Sequence, residues 1–280
     1  MTNNYIQFKK RRELGEILSD TFAFVRSNFK DLFTVLIRTS LIPFILVILA
    51  SVYYQYVIGN LNEITPYSAV FSLGGLGLAG LLFYATSSAT VYSFIKEYDT
   101  TKGQGLNLEY VVSEAKSNIG NMIGLTLLAY LMLILGLIFF VIPGIYFLVP
   151  LAVVFPILLF KETTIFGAIG ESFKLIKGYW WVTFGTVIVI AIIIGVMSFA
   201  FSVPALIYSV IKMIITSSNE GTLTGGNPGD FIYLTLSALG SAGSNLLSIV
   251  FLVSLGFVYY DLDEEQNRTG LKQKIEDLDA

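Results

Sequence analysis

Two side chains that often carry chemistry are missing from this sequence, which contains no histidine and no cysteine. A thiolate nucleophile, a thiolate zinc site and a histidine general base are therefore excluded. Carboxylate or lysine chemistry is left open in principle. We expect a protein without catalytic activity of its own and without a cofactor, a metal or a disulfide.

A row of small polar side chains in the last long apolar segment is the first feature that could bind a ligand. Such a row on one helical face could line a cavity or a substrate path. It could also serve tight helix packing through small residues and weak interhelical hydrogen bonds, which the neighbouring Gly240 and Gly243 favour. The residues of this face are Ser237, Ser241, Ser244, Asn245 and Ser248.

Arg38 is the only charged residue well inside a predicted membrane span, and a residue in that position is by default a functional hypothesis. Together with nearby basic residues it could bind the headgroup of an anionic lipid. Its alpha carbon also lies only about two turns from one end of the span, so the side chain could extend to the interface instead. We favour this second interpretation.

Four carboxylates recur near the ends of the apolar segments. Asp20, Glu114 and Glu171 occupy equivalent places in three similar stretches of sequence, and Glu162 follows Lys161 at the end of an apolar run. Each could pair with a lysine or arginine of a neighbouring unit and set the register of the helices. We therefore favour a structural role for all four.

The elements that position these residues are predicted to be membrane-spanning helices. Apolar residues make up 55% of the chain and charged residues 13%, and the mean hydropathy is +0.74. A soluble protein could not hide this much apolar surface from water. A span needs about 20 residues, so six spans are expected. They lie at about 32–57, 67–95, 181–211 and 231–260, with two more in the run 119–160, which the Pro143-Gly144 turn signal divides.

Three polar segments are expected to connect or follow the spans. Residues 59–66 should form a turn, and residues 216–230, rich in Gly, Ser, Thr and Asn, should form a loop. Residues 261–280 form an acidic tail, in which Leu271, Ile275 and Leu278 could give a short helix. A solvated tail is favoured over one that docks a partner.

Lysine and arginine are distributed unevenly between the two sides of this arrangement. Fifteen of the 17 lie before span one, between spans two and three, between spans four and five, or after span six. The opposite loops carry only Lys212. Since basic loops stay in the cytoplasm, both termini should be cytoplasmic. Trp180 and Trp181 lie at a predicted cytoplasmic boundary and are typical interfacial anchors.

Stretches before spans one and five resemble each other. Leu18–Phe22 matches Ile169–Phe173 in residue type, and Phe29 then matches Trp180 without a gap. The helical spacing of apolar residues predicts a helix lying in the membrane interface. The expected apolar stripe of the first helix is Leu14, Ile17, Leu18, Phe22, Val25 and Phe29.

A weaker and shorter copy begins at Val112, before span three. The sequence thus predicts an all-α bundle of three parallel two-span units, each preceded by a cytoplasmic interfacial helix. The units would cover about residues 10–96, 106–161 and 163–260. The alternative is that any interfacial helix beside a span shows this pattern.

Three short motifs resemble a known family. Together they are similar to the membrane domain fused to some bacterial glycerophosphoryl diester phosphodiesterases and to its free-standing inner-membrane relatives. The resemblance implies a six-span protein of the bacterial cytoplasmic membrane. It does not imply phosphodiesterase activity, because the lack of histidine rules out that family's usual site. The motifs are Leu14-Gly15-Glu16-Ile17-Leu18, Pro143-Gly144-Ile145-Tyr146 with Ser172-Phe173-Lys174-Leu175-Ile176-Lys177-Gly178, and Tyr259-Tyr260-Asp261-Leu262.

We expect a protein that organises or senses lipid, or that scaffolds a membrane partner. Its partners would be membrane lipids and a protein at the cytoplasmic face, and the net charge of −3 indicates no nucleic-acid partner. The alternative is a permease or channel for a small or amphipathic solute, which the polar face of span six would support. No intramembrane acid is visible, although a proton-driven transporter would usually need one.

Overall fold

The computed structural model describes residues 5–60, 65–139, 141–220, 230–272 and 275, with residues 216–220 described as backbone only. Within these residues the chain forms eight helices of eleven residues or more and no strand. They are α1 (Leu14–Ser27), α2 (Phe29–Gly59), α3 (Pro66–Thr101), α4 (Leu108–Phe139), α5 (Val141–Phe160), α6 (Ile165–Leu175), α7 (Trp180–Glu220) and α8 (Phe231–Gln266).

Six of these helices, α2, α3, α4, α5, α7 and α8, are long and apolar enough to cross a membrane. The most apolar 18-residue window of α7 has a mean hydropathy of 2.7, and only 11% of that window is buried inside the protein. Large apolar side chains such as Ile142, which is 81% exposed, therefore face outward, where lipid must cover them. The predictions of an all-helical fold and of a multi-pass membrane protein are confirmed.

Three helices begin immediately after a residue that takes part in an N-terminal cap. The Asn107 Oδ1 atom accepts a hydrogen bond from a backbone amide in the first turn of α4 (3.0 Å), and the Thr164 Oγ1 atom does the same for α6 (3.2 Å). At α1 the Glu16 carboxylate accepts a bond from the backbone amide of Glu13 (3.2 Å). These bonds satisfy groups that the helix itself leaves unpaired.

Two predictions about polar segments are wrong because the helices extend further than the apolar runs. The stretch at Val112 is no separate interfacial helix, since α4 continues unbroken from Leu108 into the span. Helix α7 continues to Glu220, inside the loop predicted over 216–230, of which residues 221–229 lie outside the described residues. Once a helix has formed, each further residue adds a backbone hydrogen bond, so polar residues beside a span can extend it.

The beginning of the predicted acidic tail is also packed rather than solvated. Helix α8 continues to Gln266, and within this extension Leu262 is 5% exposed and Asp263 is 4% exposed. The Asp263 carboxylate accepts a hydrogen bond from the Thr269 hydroxyl, which ties the segment after α8 back to the helix. Leu271 is exposed, and Leu278 lies outside the described residues.

Helix α1 presents a different face to the protein from the apolar stripe that the sequence suggests. It buries Ile17, Thr21 and Phe24, whereas Phe22 is 38% exposed and Phe29, at the start of α2, is 59% exposed. Only Ile17 of the predicted stripe is buried. The helix therefore has apolar side chains on more than one face, and periodicity alone did not show which of them packs against the protein.

The described residues divide into two compact units. The first unit takes its described residues from Met1–Ser40, Tyr84–Ile192 and Ile249–Ala280, and the second from Leu41–Phe83 and Ile193–Ser248. Helices α1, α4, α5 and α6 belong to the first unit, and α2, α3, α7 and α8 each contribute residues to both.

The core of the first unit contains Phe8, from the polar segment that precedes α1. This side chain is fully buried and stacks on Phe257 of α8, with 4.5 Å between the ring centroids. It also meets Phe24 edge to face at 5.1 Å and Tyr260 at 5.4 Å. Such aromatic pairs are favourable beyond the area they bury, so this segment is a structural part of the first unit.

Arg12 fixes the same segment through its donors. It is only 6% exposed, and its Nε atom donates to the Asp20 carboxylate (2.9 Å). One terminal nitrogen donates to the carbonyl groups of Phe8 (2.7 Å) and Lys10 (3.0 Å). The Arg12 backbone amide donates to Asp261 of α8 (2.6 Å). A buried guanidinium is tolerated only with partners of this kind.

We expect Phe8→Ala to reduce the free energy of unfolding by about 3–5 kcal/mol, because it leaves a cavity among aromatic rings. Phe22→Ala is the matched control, since that ring is 38% exposed and should cost far less. Unfolding of the purified protein by dodecyl sulfate in mixed micelles measures both. Equal losses in the two variants would contradict a core role for Phe8.

Candidate functional site

Three of the five residues on the polar face of span six lie around one cavity. Ser237, Ser241 and Ser244 line a pocket of about 310 Å³ in the second unit, which we call the serine pocket. The Ser241 hydroxyl shares a hydrogen bond with the Ser51 hydroxyl (2.8 Å), and the Ser244 hydroxyl donates to the Ser198 carbonyl at 3.3 Å. Gln55, Ser202 and Tyr233 contribute further polar atoms to the lining.

The other two residues of that face do not belong to the pocket lining. The Asn245 amide donates to the Ser241 carbonyl (2.8 Å), and the Ser248 hydroxyl donates to the Asn245 carbonyl (2.6 Å). Both are bonds within α8 of a kind common for small polar residues in helices. The structure thus brings three of the five predicted residues together around the pocket, and the side chains of the other two form hydrogen bonds within α8.

Close helix packing occurs on the same stretch of α8. A Cβ atom at Gly240 would lie 2.8 Å from the Phe201 carbonyl oxygen of α7, which is too close for any side chain. A Cβ atom at Gly243 would overlap the Phe201 ring. The two roles considered for this face, lining and packing, therefore fall on neighbouring residues, with glycines making the contact and serines bordering the pocket.

Arg38 lies against a carboxylate of the same unit. Its guanidinium pairs with Glu109 in the first turn of α4, and the two side chains are 45% and 79% exposed. The positive charge of Arg38 is therefore already balanced within the chain, which weakens its attraction for an anionic headgroup. The predicted lipid contact at Arg38 stays a prediction.

The four acids that the sequence singles out all take part in ion pairs. Lys96 near the end of α3 bridges two of them, Glu114 of α4 (3.0 Å) and Glu162 after α5 (2.6 Å). The hydrogen bond from Lys96 lowers the pKa of Glu162. Because these acids belong to segments other than α3, Lys96 joins three segments. The predicted role of the acids in setting the register of the units stays a prediction.

Glu171 and Asp20 also form ion pairs, but only Glu171 pairs with a residue of another predicted unit. Glu171 of α6 binds Lys174 of its own helix (2.9 Å) and Lys161 after α5 (3.3 Å), and these bonds lower its pKa in that order. Asp20 pairs with Arg12 (2.9 Å), which belongs to its own predicted unit rather than to a neighbour. The reason is that the segment before α1 folds back onto α1.

An apolar groove of about 360 Å³ lies in the first unit, between residues of α3, α4, α5, α7 and α8. Tyr130 of α4, Phe155 of α5 and Phe184 of α7 provide aromatic walls, and Ala191 and Leu255 are small or aliphatic neighbours. Every residue that borders the groove lies within a helix apolar enough to span a membrane. We call it the apolar groove.

One wall of the apolar groove is held by a stack of aromatic rings. Phe184 stacks on Trp180 with 4.9 Å between the centroids, and Trp180 stacks on Tyr146 at 5.6 Å. The Trp180 indole nitrogen also donates to the Tyr146 carbonyl (3.1 Å). The neighbouring Trp181 is 77% exposed. Tryptophan in this arrangement is typical of the boundary between hydrocarbon and headgroups.

Two lysines precede these tryptophans, and they differ in their partners. Lys174 pairs with Glu171 (2.9 Å). Lys177 is exposed and forms no ion pair with any residue that the structure describes. Sequence reasoning identified Trp180 and Trp181 as anchors but missed the groove beside them. The basic residue three positions before the tryptophan pair was a signal in the sequence for an interfacial site. The groove itself gave no such signal, because its walls come from helices far apart in sequence.

No protein-family model, curated protein or solved structure matches this chain. The resemblance to the membrane domain of glycerophosphoryl diester phosphodiesterases therefore stays a prediction. The acids in the described segments form no group of three or more that could hold a metal ion.

We expect Lys96→Met to raise the pKa of Glu162 toward its ordinary value of 4.5, because the bond from Lys96 is the largest cause of its lowering. A carboxylate with a lowered pKa stabilises the fold above its unfolded value, and this contribution disappears as the pH falls through the folded value. The stability difference between parent and variant should therefore be present above pH 4.5 and shrink as the pH falls below that value.

Carboxyl-carbon chemical shifts of labelled protein in micelles give the pKa, and unfolding curves at several pH values give the stability. Lys116→Met is the control, because Lys116 is exposed on α4 and forms no ion pair among the described residues. An unchanged Glu162 titration in Lys96→Met would refute the bridge.

Proposed function

We propose that this chain is a lipid-binding membrane protein without catalytic activity of its own, whose apolar groove takes one acyl chain of a lipid. The observation that carries the proposal is the groove itself, about 360 Å³ in volume and set in helices that are apolar enough to span a membrane. Ligand pockets are typically mostly apolar and about 300–1,000 Å³ in volume. Around spanning helices the abundant molecule with such a surface is lipid.

The groove offers little to a polar ligand. The Thr126 hydroxyl, which borders it, donates to the Met122 carbonyl of its own helix at 2.7 Å. Tyr130, which also borders the groove, is 44% exposed. A hydrocarbon chain would fill the space without leaving a polar group unpaired.

The residues beside the groove support an anionic headgroup. Trp180 and Trp181 mark the depth at which headgroups begin. Lys177, three residues before Trp180, carries an exposed positive charge without a carboxylate partner in the described part of the chain. A lysine near an anionic membrane surface contributes about 1 kcal/mol of attraction, which corresponds to roughly fivefold in binding.

The proposal includes an orientation and a membrane. We place the chain in a bacterial cytoplasmic membrane with both termini in the cytoplasm, because fifteen of its 17 Lys and Arg residues lie on that side of the six spans. Lys177 would then face the cytoplasmic leaflet, which is the anionic one.

We also propose an internal repeat of three parallel two-span units, of which the second has no separate interfacial helix because α4 runs unbroken into the span. The same number of residues separates the cap residues Glu13 and Thr164 as separates Phe29 and Trp180, the first residues of α2 and α7. Asn107 occupies the equivalent place before α4. The first residues of α1, α4 and α6, and those of the spans α2 and α7, therefore follow the spacing of the sequence match.

The buried residues of α1 and α6 also occupy matching positions in the repeat. Ile17, Thr21 and Phe24 are the buried residues of α1, and their equivalents Ala168, Ser172 and Leu175 are the buried residues of α6. These matching positions support the repeat, since both helices turn the same face to the protein. The amphipathic α1 and α6 would lie in the interface, as the proposed units require. Scaffolding of a protein partner stays a prediction from the sequence.

The two tryptophans allow a direct test, because the chain has no others. The full chain is placed in vesicles in which phosphatidylglycerol or phosphatidylcholine carries brominated chains, and quenching of tryptophan emission is measured against lipid composition. Brominated phosphatidylglycerol should quench several-fold more effectively than brominated phosphatidylcholine at equal mole fraction. Lys177→Ala should lower that preference about fivefold, and Lys174→Ala should leave it unchanged.

A second pair of variants tests whether the apolar groove binds an acyl chain. Ala191 borders the groove and Ile192, 58% exposed, is next to it on α7 but does not line the groove. Ala191→Phe should fill the groove and reduce quenching by either brominated lipid, whereas Ile192→Phe should not. Identical quenching curves for the parent, Lys177→Ala and Ala191→Phe would sink the proposal.

A further inference from the structure

We infer that the serine pocket of the second unit binds a small uncharged solute that carries both hydrogen-bond donors and acceptors, of the polyol or simple amide class. This site is separate from the apolar groove, with which it shares no residue. It does not depend on the lipid proposal, and each can fail without the other.

Ser237 is the first reason to expect a ligand. The residue is 6% exposed, and its hydroxyl oxygen is buried with no hydrogen-bond partner in the described part of the chain. A buried polar group without a partner costs about 1–3 kcal/mol. Ser237 borders the serine pocket, so rotation of its side chain would let a molecule bound there supply the missing bond.

Gln55 provides a second set of unused bonds. The bond that the structure gives its side chain is one accepted by its Oε1 atom from the Tyr233 hydroxyl (3.2 Å). This bond orients the amide, whose Nε2 atom carries two N–H donors. With Ser237, the pocket therefore offers donors and an acceptor within one small volume. That combination matches a hydroxyl-rich or amide solute better than an apolar one.

The pocket has no charge to offer. None of the residues that line it is acidic or basic. In the same unit the Asp230 carboxylate accepts a bond from the Tyr208 hydroxyl (2.6 Å) and pairs with Lys212 (2.9 Å). The bond from Tyr208 and then that from Lys212 lower the pKa of Asp230 to about 2. This group is therefore ionised and already neutralised, and a charged ligand would find no counter-ion in the pocket.

The volume of the serine pocket limits how large the solute can be. A volume of about 310 Å³ corresponds to roughly ten water molecules, which leaves space for a solute of a few heavy atoms and some water. The wall formed by α7 and α8 is close-packed, because Gly240 lies against the Phe201 backbone. Larger solutes would have to separate these helices.

The absence of native cysteine gives a direct assay. Single cysteines replace Ser237, Ser241 or Ser248 in the purified full chain in micelles, and their reaction rate with methyl methanethiolsulfonate is measured with glycerol, erythritol or acetamide present. At the two pocket positions, at least one of these solutes should slow the reaction, about elevenfold at ten times its Kd. Ser248→Cys is the control, since Ser248 shares the helix but does not line the pocket.

A second comparison tests the proposed hydrogen bonds and keeps Ser237 intact. In the Ser241→Cys background, Gln55→Leu should abolish the protection. Asn245→Leu should not, although it also removes an amide, because Asn245 does not line the pocket. Tyr233→Phe is a milder change that frees the Gln55 amide from its bond, and it should weaken protection in case Gln55→Leu misfolds.

Reaction at the pocket positions without protection by any of the three solutes would mean that the pocket holds water only, which overturns the inference. Equal protection at Ser248→Cys, or protection that survives both Gln55→Leu and Tyr233→Phe, would also overturn it. Lipid quenching uses the tryptophans of the first unit and is read separately. A failure in one assay is therefore distinguishable from a failure in the other.

Discussion

Hydrocarbon offers no hydrogen bonds, so each polar group in a membrane span must find its partner within the protein. The helices satisfy the backbone, and most span hydroxyls then bond to carbonyl groups of their own helix. Thr90 donates to the Thr86 carbonyl (2.8 Å), and Ser254 donates to the Phe251 carbonyl (2.7 Å). Such residues need no further partner, although Thr90 also shares a hydrogen bond with the Thr39 hydroxyl of α2 (2.7 Å). Ser237 shares the lack of a described partner with Thr21, Ser87, Tyr92 and Ser93, and it differs from them in bordering the serine pocket.

The same constraint accounts for the difference in lining between the serine pocket and the apolar groove. Charged groups lie near helix ends, where Lys96 and its two acids join separate segments. Neutral polar groups gather in the serine pocket, and apolar rings and aliphatic chains line the groove. Each cavity thus offers one kind of interaction, and the proposed lipid chain and uncharged solute follow from that separation. A single site with mixed lining would have given no comparable indication of its ligand.

The sequence predicted the features that depend on local pattern. The lengths of the apolar runs give the six spans, and the Pro143-Gly144 signal correctly divides the long central run, since α5 begins at Val141. The polar face of span six was recognised, but its division into lining and self-bonded residues depends on where α7 packs. The same holds for Phe8 and Arg12, whose polar surroundings in sequence give no sign of a buried position. Tertiary partners decide these cases, and periodicity carries no information about them.

The bond between the Arg12 amide and Asp261 joins residues 249 positions apart. A ribosome adding about 5–20 residues per second needs on the order of ten to fifty seconds to cover that distance. During this time the hydrophobic ring of Phe8 has no α8 to stack on, although α1 and the first spans already exist. Closure of so long a loop is slow and comes late in assembly. Completion of the first unit therefore waits for the emergence of its last helix.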